Sequence, residues 1–171
     1  MFKKALSTVA LVSAAVFSGQ AMADTAQSNF KVKITILKSC SVAAGSASDI
    51  NLGSVLSTAT DTSGSNTISV TCSKNTPYFI GLAPSNSNTT GAGVMAPEVV
   101  GSSPDTVPYQ LHSVSATGPV WGNTATAAAI GNGVAGTGTG LAVSHTVYAV
   151  APSANYTPTS YVDTVTVTVN Y

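Results

Sequence analysis

The sequence contains no arginine, and charged residues of any kind make up only 7% of its 171 positions. Six lysines are balanced by six acidic residues. A protein that binds nucleic acid needs a dense basic surface to neutralise phosphates, so this composition excludes that class of partner. Disordered chains are usually highly charged and poor in β-branched residues, whereas this chain is rich in Thr and Val, which favour sheets.

Long apolar stretches are also lacking, except at the start of the chain. Two lysines precede a mostly apolar run over residues 5–17, and Ala21-Met22-Ala23 has the small-x-small pattern of a cleavage site. This arrangement predicts a secretory signal peptide over residues 1–23. A membrane anchor is the alternative, but the run is shorter than the ~20 residues that a span requires. The remaining residues, 24–171, have the size of one exported domain.

Cysteine is scarce, since Cys40 and Cys72 are the only two in the chain. In an oxidising compartment their simplest state is a single disulfide. Two free buried thiols are the alternative. A metal site is disfavoured because neither cysteine has another Cys or a His at ligand spacing. We therefore expect no metal and no other cofactor.

Helical periodicity is missing after residue 23, although residues 124–136 could hold a short helical turn. The chain instead has short segments rich in β-branched or aromatic residues, each bounded by Gly, Pro, Asn, Asp or Ser. These segments are residues 29–40, 49–55, 66–73, 77–83, 107–114, 119–122, 145–151 and 161–171. Many short strands with frequent turns predict an all-β antiparallel sandwich or barrel.

The opening segment, NFKVKITILKSC at residues 29–40, alternates apolar and polar residues. Such alternation predicts a half-buried strand. Leu37 breaks the pattern, so the strand could bend there or serve two sheets in turn. The apolar face comprises Phe30, Val32, Ile34 and Ile36. Burying these four side chains at about 1.5–3 kcal/mol each is worth 6–12 kcal/mol in total.

The last segment alternates most cleanly and runs to the final residue. Its apolar face comprises Val165, Val167, Val169 and Tyr171. A sandwich normally places another strand beside such a strand, and we expect that neighbour to come from another molecule. The opening strand of one copy could then add to the open sheet edge of the next. The alternative is that residues 30–37 form the first strand of a self-contained sandwich.

Motifs for catalysis or ligand binding are few. Residues 131–136, GNGVAG, match G-x-G-x-x-G, but a strand-like segment rather than a helix follows, so we expect a mobile loop and not a dinucleotide site. His112 and His145 lie in strand-like segments without an acidic partner nearby in sequence, and a metal pair or a general base is the alternative to a structural role. Trp121 could form a sugar platform with tyrosines, but a lone Trp more often fills a sandwich core. No reaction can be assigned, and we expect no enzyme.

The order of these segments resembles the spore coat protein U-like family, whose members include subunits of archaic, Csu-type chaperone–usher pili. The resemblance covers nearly the whole chain after residue 23. It depends most on Cys40 with Cys72, Tyr109-Gln110-Leu111, Trp121-Gly122, and the tail with Tyr161 and Asp163. The sequence departs from the family in GAGVMAPE, where members often carry an Arg-Met pair, and in Ser160, where a Gly is common.

The resemblance implies an incomplete immunoglobulin-like sandwich, with residues 24–38 as a donor segment and 39–171 as the pilin domain. The implied donor anchors are Phe30, Val32, Ile34 and Ile36. The residues implied to border the acceptor groove and to contact the chaperone are Val165, Val167, Val169 and Tyr171.

The implied partners are further copies of the chain, a periplasmic chaperone, an outer-membrane usher, and a tip adhesin or minor subunits. The implied role is that of a major shaft subunit, exported through the periplasm to a surface pilus that supports adhesion and biofilm formation. The alternative is a secreted, self-contained sandwich that binds sugar.

Overall fold

A computed structural model describes residues 24–171, and the predicted signal peptide lies outside the described residues. Contacts divide the chain into two units, Met1–Thr35 and Ile36–Tyr171. All strands of the described residues lie in the second unit, and one 3-10 turn at Ser46–Ser48 accompanies them. Within residues 24–171, no helix is long and apolar enough to cross a bilayer. The all-β prediction is therefore confirmed.

Nine strands are present in the described part of the chain. They are β1 (Cys40–Ala43), β2 (Thr60–Cys72), β3 (Pro77–Pro84), β4 (Ala92–Pro97), β5 (Val107–Ser113), β6 (Val134–Thr137), β7 (Ala142–Ser153), β8 (Tyr161–Val162) and β9 (Val165–Asn170). They form a six-stranded sheet in the order β1-β2-β7-β5-β4-β8 and a three-stranded sheet in the order β6-β3-β9. All pairings are antiparallel. The last two strands belong to different sheets, since β8 lies in the larger sheet and β9 in the smaller one.

The core lies between the two sheets and is built around three buried aromatic residues. Each of them has a partner for its polar atom. The Tyr78 hydroxyl lies 2.9 Å from His145 Nε2, the Tyr109 hydroxyl donates to Asp163 Oδ2 at 2.7 Å, and Trp121 Nε1 donates to the Ile80 carbonyl at 2.9 Å. Among the described residues, no buried side-chain polar atom is left without a partner. The aromatic rings can therefore supply apolar packing without an unpaired polar group.

Three predicted strands are absent from the structure, and the first is the opening segment, in which residues 29–39 have no strand assignment. Residues 119–122 form no strand, and only an isolated bridge joins Val120 to His112. Residues 49–55 form none either, because Gly53 has a left-handed φ of 81° and its amide donates to the Asn51 side chain. This short turn interrupts the extended pattern that the sequence suggested.

The sequence did not predict β4 and β6, two strands that contain glycine. β6 corrects the end of the helical turn predicted over residues 124–136 and of the loop predicted over residues 131–136. Gly136 of β6 pairs with Tyr78, and Gly93 of β4 pairs with Tyr109. In each pair the tyrosine ring occupies the space where a Cβ of the glycine would lie. A cross-strand aromatic ring can compensate for the missing side chain of a strand glycine. These glycines are therefore packing positions and not loop signals.

Cys40 and Cys72 form a disulfide between directly paired residues of β1 and β2, with their Cα atoms 4.1 Å apart. The prediction of a disulfide is confirmed, and the alternative of two free thiols is wrong. The bond joins residues 32 positions apart. It therefore restricts the unfolded chain substantially.

We expect the double variant Cys40→Ser/Cys72→Ser to be destabilised by roughly 3.5–4 kcal/mol, because the unfolded chain regains the entropy of that loop. Urea unfolding of the variant and the parent protein measures the difference, and the yield of folded protein should fall. Cys40→Ala/Cys72→Ala is the matched control, since it separates the loss of the bond from the burial of new hydroxyl groups. An unchanged urea midpoint in both variants would show that the bond is dispensable.

Candidate functional site: an open sheet edge

Strand β9 has a free edge. It pairs with β3 from Val165 opposite Pro84 to Asn170 opposite Phe79, and no described strand pairs with its other side. The backbone N–H and C=O groups along that side are therefore available to a further strand. Such a row of unpaired groups is a template for strand addition. The predicted neighbour of the last strand is indeed not supplied by the described part of the chain.

The apolar face of β9 is only partly covered. Val167 and Val169 pair with Leu82 and Ile80, and they share the inward side of the sheet with them. Leu82 and Ile80 are buried, whereas Val165, Val167 and Val169 pack against the core and stay half-buried. Two adjacent strands in one sheet therefore differ in burial because only β3 has a neighbour on both sides.

One of the two edge strands of the larger sheet, β1, lies close to β9. Strand β1 pairs with β2 alone. Cα atoms of β1 and β9 come within 8 Å of each other, although the strands belong to different sheets. The candidate site therefore comprises the neighbouring edge strands β1 and β9, with Val165, Val167 and Val169 on the half-buried face of β9. Tyr171 directly follows β9 and is 39% exposed.

The segment before β1 keeps its apolar face in solvent. Residues 24–39 have no strand assignment. Phe30, Val32, Ile34 and Ile36 are between 81% and 89% exposed, and Leu37 is 79% exposed. A row of large exposed apolar side chains is uncommon on a soluble protein and marks an interaction site.

The start of β9 is fixed by a contact that the sequence analysis did not assign. The Asp163 carboxylate accepts the Tyr109 hydroxyl at 2.7 Å and the amide of Thr164 at 2.8 Å. Burial, the hydrogen bond to Asp163 and its charge raise the pKa of Tyr109, so the phenol stays protonated and donates. The signal in the sequence was that Tyr109 and Asp163 both belong to the motifs that carry the family resemblance. The partner of Asp163, 54 positions away, could not be identified from spacing.

The two histidines have structural contacts. Burial lowers the pKa of His145 and raises that of Tyr78, so both side chains stay neutral where the hydroxyl meets Nε2. His112 Nδ1 donates to the Gly118 carbonyl at 2.7 Å. Within residues 24–171, no cluster of three His, Cys, Asp or Glu side chains could hold a metal ion. The two histidines have a tyrosine hydroxyl and a backbone carbonyl as their partners.

The G-x-G-x-x-G match also lacks the required surroundings. Residues 131–133 form a turn, and the chain continues directly into β6. A dinucleotide site needs a helix N-terminus at this position to face the pyrophosphate. The motif is therefore part of a turn and an edge strand.

Trp121 is 1% exposed, so it cannot serve as a sugar platform. Its predicted role in the core is confirmed. We expect Trp121→Phe to lower the free energy of unfolding by about 1–3 kcal/mol, because the buried Ile80 carbonyl loses the indole N–H. Thermal and urea unfolding would measure this loss. A variant as stable as the parent would mean that the hydrogen bond adds nothing, and Leu111→Ile serves as a control for a conservative change at a neighbouring buried site.

Comparison with known proteins places the chain in a family. It matches the family model described as Spore Coat Protein U domain over residues 26–168. No curated protein matches it by sequence. Its structure is similar to a chain in the crystal structure of the CsuC-CsuE chaperone-tip adhesion subunit pre-assembly complex from archaic chaperone-usher Csu pili of Acinetobacter baumannii, with a TM-score of 0.52.

That similarity has 20% sequence identity and covers 80% of this chain but 40% of the other. At this identity it shows the fold, an immunoglobulin-like sandwich of two antiparallel sheets. The match of the family model extends from the exposed opening segment through most of β9. The chain therefore belongs to the spore coat protein U domain family.

Proposed function

We propose that this protein is a structural subunit of a surface pilus, assembled by the chaperone–usher route through donor-strand complementation. The observation that carries the proposal is the coexistence of two unsatisfied features in one chain. One is the free, half-covered edge of β9, and the other is the exposed alternating segment before β1. The edge has room for a further strand beside its half-buried apolar face, and the segment carries exposed apolar side chains that could cover that face.

The two features match in length and in period. The four proposed donor anchors extend over residues 30–36, and β9 extends over Val165–Asn170. Both alternate with period two, so a paired donor would direct all four anchors towards the core while its backbone pairs with β9. A copy that donates at one end and accepts at the other makes a head-to-tail contact that does not close on itself. Such a contact generates a fibre.

The proposed partners follow from the free edge. A periplasmic chaperone would cover the edge of β9 near Val165, Val167, Val169 and Tyr171 until an outer-membrane usher allows the next subunit to replace it. The structural neighbour comes from a complex of a chaperone with a tip adhesion subunit, which supports a chaperone partner. One sandwich with both a donor and an acceptor suits the shaft, with a tip adhesin or minor subunits elsewhere in the pilus. The subunit would have no catalytic role.

The predicted signal peptide supports export through the periplasm to the cell surface. Adhesion and biofilm formation are the expected consequences of such a pilus. The alternative of a sugar-binding module loses its main candidate residue, because Trp121 is buried.

The test of the proposed function is a gel of the purified protein in detergent, run with and without boiling. We expect an unboiled ladder that collapses to one band on boiling, because strand exchange is non-covalent and kinetically stable. A monomer band in both lanes, together with a single cooperative melt, would contradict the proposal and indicate a self-contained sandwich.

A further inference from the structure

The root of the exposed segment, defined here as Lys38, Ser39 and Cys40, is fixed to the end of β2. The Ser39 amide donates to Ser73 Oγ at 3.0 Å. The amide and hydroxyl of Ser73 donate to the Ser39 carbonyl at 2.9 and 3.2 Å. The disulfide from Cys40 to Cys72 follows directly. Two consecutive residues are therefore held to the larger sheet by one covalent bond and three hydrogen bonds.

Lys38 contacts the residue that follows β9. Its Nζ atom lies over the ring of Tyr171, 5.7 Å from the ring centroid. This distance is within the range of a cation–π interaction. The root therefore contacts both the end of β2 and the residue next to the free strand.

We propose that the Lys38–Tyr171 pair is a positioning contact that sets the direction in which the exposed segment leaves its own sandwich, and thereby the rotation between successive subunits. This inference rests on the proposed function. The bonds at Ser39 and Cys40 leave the backbone of Lys38 as the first point at which the chain can turn. The contact with Tyr171 restricts that turn, and Lys38 is none of the four proposed donor anchors.

The contact also lies at the edge where the donor segment of one copy would enter and the chain's own donor segment would leave. The edge between β1 and β9 receives the donor of one copy, and the root at the same edge sends the donor towards another. A restriction at Lys38 therefore fixes the angle between an incoming and an outgoing segment. Without it, the fibre would still form, but its subunits would rotate about the root.

The test uses fibres of two single variants at Lys38, because Tyr171 also belongs to the proposed chaperone contact. Lys38→Met removes the charge, whereas Lys38→Arg retains it as the matched control. The unboiled gel reports polymer formation, and electron microscopy reports the rotation between subunits and the persistence length of the fibre. We expect Lys38→Met to keep the ladder, to lose the single defined rotation and to shorten the persistence length. Lys38→Arg should behave as the parent does.

Unchanged rotation in fibres of Lys38→Met would overturn the inference, and so would a changed rotation in fibres of Lys38→Arg. Loss of the ladder from Lys38→Met would overturn it as well, because the contact would then act in assembly itself. A parent protein that forms no ladder would instead contradict the proposed function. We expect Lys38→Met to fold, since Lys38 is exposed and lies in no strand.

Discussion

Ile34→Asp should abolish polymer growth while folded subunit continues to accumulate. Ile34 is 85% exposed in its own chain and lies in no strand, so the substitution removes no contact of the sandwich. In the proposed complex the same side chain enters a dry groove between two sheets. Burying an ionised carboxylate without a partner there costs several kcal/mol, about as much as the burial of two or three anchors contributes.

The measurement is the unboiled gel together with the amount of subunit that copurifies with its chaperone. Thr35→Asp is the matched control, because it places the same charge one residue away on the opposite face of the segment. We expect a ladder from Thr35→Asp and none from Ile34→Asp. Normal fibres from Ile34→Asp would overturn the assignment of Ile34 as an anchor. Loss of the ladder in both variants would mean that charge, and not burial of one face, controls assembly.

The strands that could be predicted are those whose own residues carry the signal. β3, β5, β7 and β9 have β-branched or aromatic residues at alternate positions, and each of them contains inward residues that pack on the core. β2 was predicted only from residue 66 onwards. Its first half, TDTSGS, has no apolar residue, and pairing with the end of β7 makes it a strand. The first half of β2 therefore becomes a strand through its pairing with a distant segment, because its own residues have little preference for strands.

Strands β4 and β6, which contain glycine, also depend on pairing that the sequence does not reveal. Nothing in AGVMAP or VAGT indicates that a tyrosine ring from the neighbouring strand covers the glycine. That information lies in the register between Gly93 and Tyr109 and between Gly136 and Tyr78. Register depends on the pairing of distant segments, so alternation within either segment cannot supply it.

For the candidate site, sequence reasoning identified the last strand, and the structure shows that strand at a free edge. The alternation of Val165, Val167 and Val169 predicted which side chains face the core. The hydrogen bond from Tyr109 to Asp163 and the contact of Lys38 with Tyr171 were not predictable. Each contact joins two residues that are far apart in the chain, so the spacing of residues in the sequence does not identify the partners.

Val167→Asp should abolish the acceptor function and leave the donor intact. Val167 lies at the middle of β9, half-buried and opposite Leu82, where the proposed donor would cover it. A carboxylate at this position would face the anchors of the incoming segment, which have no group to pair with it. Thr166→Asp, on the exposed face of the same strand, is the matched control and should polymerise normally.

A mixture of the two variants that do not polymerise gives the most specific result. Ile34→Asp has a defective donor and an intact acceptor, whereas Val167→Asp has the reverse, so one pairing remains between them. We expect an equimolar mixture to form a boiling-sensitive species of two subunits and nothing longer, although each variant alone stays monomeric. Size-exclusion chromatography with light scattering distinguishes this species from a ladder.

The folded state of Val167→Asp needs its own measurement, because Val167 also packs against the core. Circular dichroism and a thermal melt report whether the variant is folded before it is mixed. Should it be unfolded, Val167→Thr keeps the shape of the side chain and replaces one methyl group with a hydroxyl, which costs about 1–3 kcal/mol when buried unpaired. Fibres of Val167→Thr should then dissociate at a lower temperature than those of the parent. A ladder of unchanged heat stability, or a mixture of folded variants without the two-subunit species, would show that the donor does not enter at β9.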